Sequence, residues 1–278
     1  MNFMNYFCEK NGVIGSLELK NQILPSKDDL RWEYGGKVQN IDIYPVKSFG
    51  GVSVNTSVKV TKYGLQFGEM QDRQFLIVDE KHNLVDASRL PKLVLIQPWL
   101  ENGILTLNAD GMAALKLKLP TSSEGYENVT TQVWTKLLTL ILIWHKNVCL
   151  QVIQKSCTGI DLGREAGKWI ADFVEKPDKI FKLIYHIEAA STRELINDKD
   201  PFVPMAKKED VPLFANKNPI MLANQASFDA MNEIMENQNI AEIEDYKQLR
   251  PTIMLNGKQL KSLFASNFPN RINGFSHV

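Results

Sequence analysis

Lys47 and Ser48 follow Ile43-Tyr44-Pro45-Val46, and Arg73 follows Asp72 at the entrance of Gln74-Phe75-Leu76-Ile77-Val78. A lysine supplies a point charge, a serine an O–H, and an arginine a planar fork of donors that matches a phosphate. Gathered at one strand end, the three would bind an oxyanion. Pro45 fixes φ and withholds a ladder donor, so the chain is expected to leave its sheet there and expose Lys47 and Ser48 at a barrel rim. Arg250 precedes Pro251 and the run Thr252-Ile253-Met254-Leu255. A residue before proline is held extended, which lets the Arg250 side chain project from the start of a strand. Structural readings stand beside these: Lys47 as an exposed lysine in a hairpin turn, and Arg73 as the partner of Asp72 or Asp79. If Arg73 serves a ligand, its removal weakens ligand retention far more than stability.

These residues need a rigid frame, and the pattern supplies one. From Lys37 to about Pro120 the chain reads as short strands separated by Gly, Asn and Asp turns: Val38-Ile41-Ile43, Val52-Val54, Val58-Val60, Phe75 to Val78, Gly103 to Leu107 and Leu115 to Leu119. Many short strands at regular spacing predict a barrel or sandwich. Thr121 to Asn128 is polar and linker-like. Val133 to Val152 holds an apolar run, Leu137 to Trp144, too short to span a bilayer and interrupted by Lys136, His145 and Lys146. It reads as a buried strand or core helix. Gly163 to Val174 is an amphipathic helix with Asp161 where an N-cap falls, and Phe181 to Tyr185 is a strand. Residues 187–213 read as a loop and Pro219 to Leu222 as a strand. A helix over Ser227 to Glu236 carries Phe228, Met231, Ile234 and Met235 on one face. Arg250 to Leu255 is a strand entering an Asn256-Gly257 turn. The fold class is mainly β with helices, α+β.

A chain of 278 residues with 44% hydrophobic and 23% charged content is an ordinary globular protein with room for a sizeable core. Lys+Arg and Asp+Glu balance at 32 each, so no global field recruits nucleic acid. Cys8, Cys149 and Cys157 form no zinc, CxxC or disulfide pattern, and a reducing compartment is the default. Met1 to Lys20 shows no spanning stretch, cleavable signal or Arg-rich presequence. His82, His145, His186 and His277 are scattered, and no catalytic triad, HExxH, GxGxxG or Walker loop is present. No residue is assigned a catalytic role.

Tyr44-Pro45-Val46-Lys47-Ser48, Gly64-Leu65, Asp72-Arg73-Gln74-Phe75-Leu76-Ile77-Val78 and Leu84-Val85-Asp86-Ala87-Ser88-Arg89-Leu90-Pro91 together resemble the MOSC proteins with an N-terminal β-barrel domain. That family includes the mitochondrial amidoxime-reducing component and the C-terminal part of molybdenum cofactor sulfurase. The resemblance covers roughly residues 37–257 and implies a tail (1–36), a MOSC N-terminal β-barrel domain (37–122) and a C-terminally incomplete, barrel-like MOSC domain (123–278) with an insertion at 133–152. It implies that Lys47, Ser48, Arg73 and Arg250 contact the phosphate end of a molybdenum–molybdopterin cofactor. It further implies reduction of small N-hydroxylated substrates, with electrons from a b-type cytochrome and a flavin reductase, in mitochondria; a cytoplasmic location stays open. Departures are also visible. Ser88 stands where the family often has Arg, and Arg89, one residue later, is expected on the opposite strand face. Asn216-Lys217 and Asn218-Pro219 replace the family's polar pair and its small hydroxyl residue. The family's metal-binding thiolate is soft and deprotonated, and no cysteine follows Cys157, so no metal ligand is assigned. Two alternatives remain open: a truncated or inactive MOSC homologue, and a sulfur-carrier module binding molybdenum cofactor or pyridoxal phosphate.

Overall fold

In a computed structural model, residues 36–134, 154–187, 213–216 and 219–257 are described. The apolar run 137–144, nearly all of the 187–213 loop, Cys8, Cys149, Lys217, Asn218 and both tails lie outside the described residues. The strands are β1 (Lys37–Ile43), β2 (Val52–Ser53), β3 (Lys59–Thr61), β4 (Gly64–Phe67), β5 (Met70–Gln71), β6 (Phe75–Asp79), β7 (Leu84–Val85), β8 (Gln97–Glu101), β9 (Ile104–Asn108) and β10 (Leu115–Lys118). They continue with β11 (Asn128–Trp134), β12 (Gln154–Asp161), β13 (Phe181–Tyr185), β14 (Leu222–Asn224) and β15 (Ile253–Asn256). Two α-helices join them, α1 (Arg164–Phe173) and α2 (Gln225–Asn237). Mostly strands with two helices, the chain is α+β, as its turn-punctuated pattern predicts.

Two sheets decide where the site falls. One runs β14-β15-β1-β2, the other β11-β12-β13-β6-β7. Both draw strands from either side of residue 122. β1 is therefore flanked by β15, antiparallel with Ile41 opposite Ile253, and the end of β1 is brought beside the segment that carries Arg250. β6 explains its own apolar sequence: Phe75 and Ile77 enter the main core with Ile43, Val46 and Leu183, while Leu76 and Val78 enter a second core with Val129, Cys157 and Ile184. A strand buried on both faces shows an unbroken hydrophobic run, whereas β8 to β10 alternate buried and exposed positions.

The structure corrects several boundaries. The segments around Thr131 and before Gly159 pair with each other: β11 and β12 are the two arms of one antiparallel ladder, Thr131 opposite Cys157. Asp161 does not cap α1; Gly163 occupies the N-cap at φ 99°, and Asp161 Oδ1 accepts the Gly163 N–H at 2.9 Å. On α2 the cap is Asn224, accepting from the Ala226 N–H at 2.8 Å, and Phe228 and Met235 face inward while Ile234 is exposed. The strand read over Pro219 to Leu222 begins only at Leu222 and pairs parallel with β15.

Thr252 ties β15 to that parallel neighbour. Fully buried, its Oγ1 accepts the Met221 N–H at 2.8 Å and donates to the Met221 carbonyl at 3.0 Å. Thr252→Val keeps the shape and leaves the Met221 amide without its acceptor. The expected cost is about 1–2 kcal/mol, read as a lower denaturant midpoint with an unchanged m-value.

Candidate functional site

The site is built where β1 ends. Beyond Ile43 the backbone of Tyr44 is fastened to the Asp72-Arg73 turn: the Tyr44 N–H donates to Asp72 Oδ1 at 2.9 Å, and the Arg73 N–H donates to the Tyr44 carbonyl at 2.8 Å. The chain then runs alongside β6, with Phe75 N–H to Pro45 carbonyl at 3.0 Å and Lys47 N–H to Phe75 carbonyl at 2.8 Å. Pro45 does end the β1 ladder, as its missing donor requires. The expected exposure of the next residues does not result. Lys47 is 8% and Ser48 7% exposed, because residues 213–216 close over them. The Lys47 ammonium donates to the Phe214 carbonyl at 2.9 Å and to Asn216 Oδ1. Asn216, one of the replacements for the family's polar pair, is thus a direct neighbour of the predicted lysine. Ser48 sits beside it at φ 73°.

Arg73 and Arg250 converge on one ring. Their Cζ atoms lie 4.7 and 4.3 Å from the centroid of Tyr44, within reach of a cation–π attraction. Arg73 Nη1 pairs with Asp72 Oδ2, and its Nη2 donates to the Arg250 carbonyl at 3.0 Å. Arg250 Nη1 donates to the Phe49 carbonyl. Arg250 is not extended as the proline rule requires: it caps the 3₁₀ turn Tyr246–Leu249 at φ 57°, ψ 44°, in the left-handed region. The carbonyl of Phe49 and the stacking on Tyr44 outweigh the local preference. Ser48, Arg73 and Arg250 all have positive φ, a conformation that costs a non-glycine residue energy and collects at functional positions.

Each guanidinium carbon is within 4.7 Å of the same centroid, so the two cations stand no more than about 9 Å apart. At an effective dielectric near 20 that proximity costs roughly 2 kcal/mol or more. One carboxylate, Asp72, is paired with Arg73; burial pushes its pKa up, and Arg73 and the Tyr44 N–H act against that. Arg250 has no acidic partner among the described residues, and burial together with Arg73 pushes its pKa down to about 10. Arginine does not release its proton in proteins, so this value expresses an uncompensated charge. Two atoms are shut off from solvent with no hydrogen-bond partner among the described residues in this cluster, Arg250 Nη2 and Tyr44 Oη. Burial raises the phenol's pKa far above its ordinary value. Around Tyr44 the two guanidinium groups face two buried carboxylates, Asp72 and Asp42, and what remains unspent is the Arg250 donor, a group suited to an anion.

Of the four predicted residues, Arg73 and Arg250 are brought together on Tyr44. Lys47 and Ser48 lie on the same turn, with the ammonium directed at Phe214 and Asn216. Arg73 also forms the Asp72 pair that was its structural alternative. Arg89 is not on a strand: Ala87–Arg89 form a turn, and its guanidinium donates to the Leu84 carbonyl at 3.2 Å, so face parity does not apply. Sequence reasoning missed Tyr44 as part of the site. A tyrosine close to the lysine was visible, but its contacts with Asp72, 28 places away, and with Arg250, far along the chain, have no local signature. Among the described residues no group of three or more His, Cys, Asp or Glu could hold a metal ion, and no helix is long and apolar enough to cross a membrane.

Residues 35–142 match the family model described as MOSC N-terminal beta barrel domain. Curated relatives extend the likeness beyond it. Mitochondrial amidoxime-reducing component 1 of Danio rerio is 28% identical over 201 residues, 72% of this chain and 54% of its own length. Mitochondrial amidoxime reducing component 2 of Bos taurus is 29% identical over 230 residues, 82% and 58% of the two chains. That of Rattus norvegicus reaches 39% over 94 residues, 33% and 28%. The chain is similar to these amidoxime-reducing components and spans about half the length of the curated relatives it matches.

Proposed function

We propose that this chain binds the phosphate end of a molybdenum–molybdopterin cofactor and reduces N-hydroxylated small molecules; its relatives are named amidoxime-reducing components. The observation that carries the reading is the Arg73–Arg250 pair on Tyr44, with Arg250 Nη2 buried and unspent. The donor set fits a phosphate monoester: Arg250 offers a free donor, Arg73 a second guanidinium, Ser48 a hydroxyl and Lys47 a nearby ammonium. Each charge-assisted hydrogen bond gained would contribute about 1.5–3 kcal/mol. When bound, the cofactor supplies the two-electron chemistry that removes oxygen from an N–OH group; the residues of this chain bind its anionic end, orient it and screen it from water. Electron delivery by a b-type cytochrome and a flavin reductase, a mitochondrial location, and division at about residue 122 into a barrel domain and a MOSC domain belong to the same reading.

A second reading is favoured by Cys157, which is buried with Leu76, Val78 and Val129 in the second core and is not presented to the arginines. In it the chain keeps the anion site without redox activity, as an inactive homologue or as a carrier of molybdenum cofactor or pyridoxal phosphate. The test is metal and pterin content of the purified full chain, with N-hydroxyamidine reduction measured alongside. Stoichiometric molybdenum and pterin with turnover is the expected result. Pterin or pyridoxal phosphate without turnover selects the second reading. A folded protein that retains no pterin and binds neither pyridoxal phosphate nor inorganic phosphate overturns both.

A further inference from the structure

We infer that Tyr44 is a positioning residue, the platform that holds Arg73 and Arg250 in register for one anion. The inference rests on the anion-site reading and assigns it a residue that touches no ligand through its ring. Four contacts meet at Tyr44. Its N–H holds Asp72, the carboxylate that pairs Arg73, and its carbonyl holds the Arg73 backbone. Its ring lies against both guanidinium groups at 4.7 and 4.3 Å. Its edge is packed on Gly51, where a Cβ would come within 2.5 Å of Cε1 and 3.0 Å of Cζ.

The need for such a platform follows from electrostatics. Two guanidinium groups this close repel, and Asp72 is hydrogen-bonded to only one of them. Without such a ring, Arg250 would move toward solvent to recover hydration and the donor fork would be lost. The negative face of an aromatic ring attracts both cations without consuming a donor. A carboxylate in its place would neutralise the charge that a phosphate needs. Gly51 leaves room for the ring: any side chain there would displace Tyr44 relative to the arginines.

Inorganic phosphate is the probe, its affinity for the full chain measured by calorimetry, with thermal melts in parallel. Tyr44→Phe keeps the ring and is expected to bind phosphate within about twofold of the parent. Tyr44→Leu keeps an apolar filling and removes the π face; its affinity is expected to fall about tenfold or more, since two cation–π contacts are lost. Gly51→Ala retains every group of the site and displaces the ring, and is expected to weaken binding severalfold while melting cooperatively. Where Tyr44→Leu does not fold, Gly51→Ala decides. Unchanged affinity in a folded Tyr44→Leu, or in Gly51→Ala if it alone folds, overturns the positioning role while leaving the anion site standing. So does an equal loss in Tyr44→Phe, which would place the function in the hydroxyl. A parent protein that does not bind phosphate overturns the anion site itself.

Discussion

Arg73→Ala lowers the unfolding free energy by about 3–5 kcal/mol, the range found when one partner of a buried ion pair is removed. Asp72 is fully buried at its side chain and Arg73 nearly so. Once the guanidinium is gone, the carboxylate keeps only the Tyr44 N–H and must be accommodated uncompensated or protonated. The Arg250 carbonyl also loses its donor. Arg250→Met behaves oppositely. Arg250 has no carboxylate partner among the described residues, and its charge is disfavoured by burial and by Arg73, so an apolar side chain of similar length relieves both costs. Its denaturation midpoint is expected to equal or exceed that of the parent, while phosphate binding is lost. Urea titrations of the two variants beside phosphate calorimetry check this contrast. If Arg73→Ala is as stable as the parent, Asp72 is not the buried partner described; if Arg250→Met still binds phosphate, the anion site lies elsewhere. The sequence reading sets ligand retention against ion pairing for Arg73, and the geometry assigns this one side chain to Asp72 while its other nitrogens stay within the cluster.

How much of the fold is legible in the chain depends on the range over which its physics acts. Phe75 to Val78 is legible because a strand buried on both faces must be apolar throughout, and Phe181 to Tyr185, its neighbour in the sheet, is legible as a short β-prone run despite Lys182, which reaches Glu127. The helix at Arg164–Phe173 is legible because Ala166, Trp169 and Ile170 recur on one face. The ladder between β11 and β12 is not, since pairing is antiparallel and two similar β segments look alike whether they are repeats or partners. Lys47 and Ser48 stand out in the sequence as candidates for an anion site, but the burial of the lysine depends on Phe214 and Asn216, 167 and 169 residues away. Arg250 is recognisable by type and position, yet the sequence points to the wrong backbone conformation for it. A dipeptide rule describes the steric preference before proline, whereas the actual φ is dictated by a 3₁₀ terminus and by the distant carbonyl of Phe49. Residue identity carries the chemistry, and partners remote in the chain determine whether that chemistry is exposed, paired or unspent.

Gly167→Ala is expected to destabilise the protein by roughly 3 kcal/mol or more, at the upper end of overpacking costs, and to lower the melting temperature by on the order of 10 °C. In an isolated helix the same change would stabilise by about 1 kcal/mol, so the sign itself is diagnostic. Gly167 lies in the middle of α1, on the face that carries Ala166, Trp169 and Ile170 into the core. A Cβ there would fall 1.8 Å from the Phe181 carbonyl oxygen and 2.9 Å from its carbon. Both are backbone atoms of β13 and cannot rotate aside as a side chain would. The helix must lift off the sheet, drawing Trp169 from its hydrogen bond to the Ala113 carbonyl at 2.7 Å and opening the core beneath it. β13 pairs along its length with β6, whose first residue, Phe75, holds the backbone of Lys47. The displacement therefore reaches the anion site only through the sheet. Gly167→Ala should consequently cost stability first, with phosphate affinity in the folded fraction changing less than in Gly51→Ala. Thermal melts of the two glycine variants, set against their phosphate isotherms, separate these effects; a Gly167→Ala protein that melts at or above the parent temperature would contradict the close approach of α1 to β13.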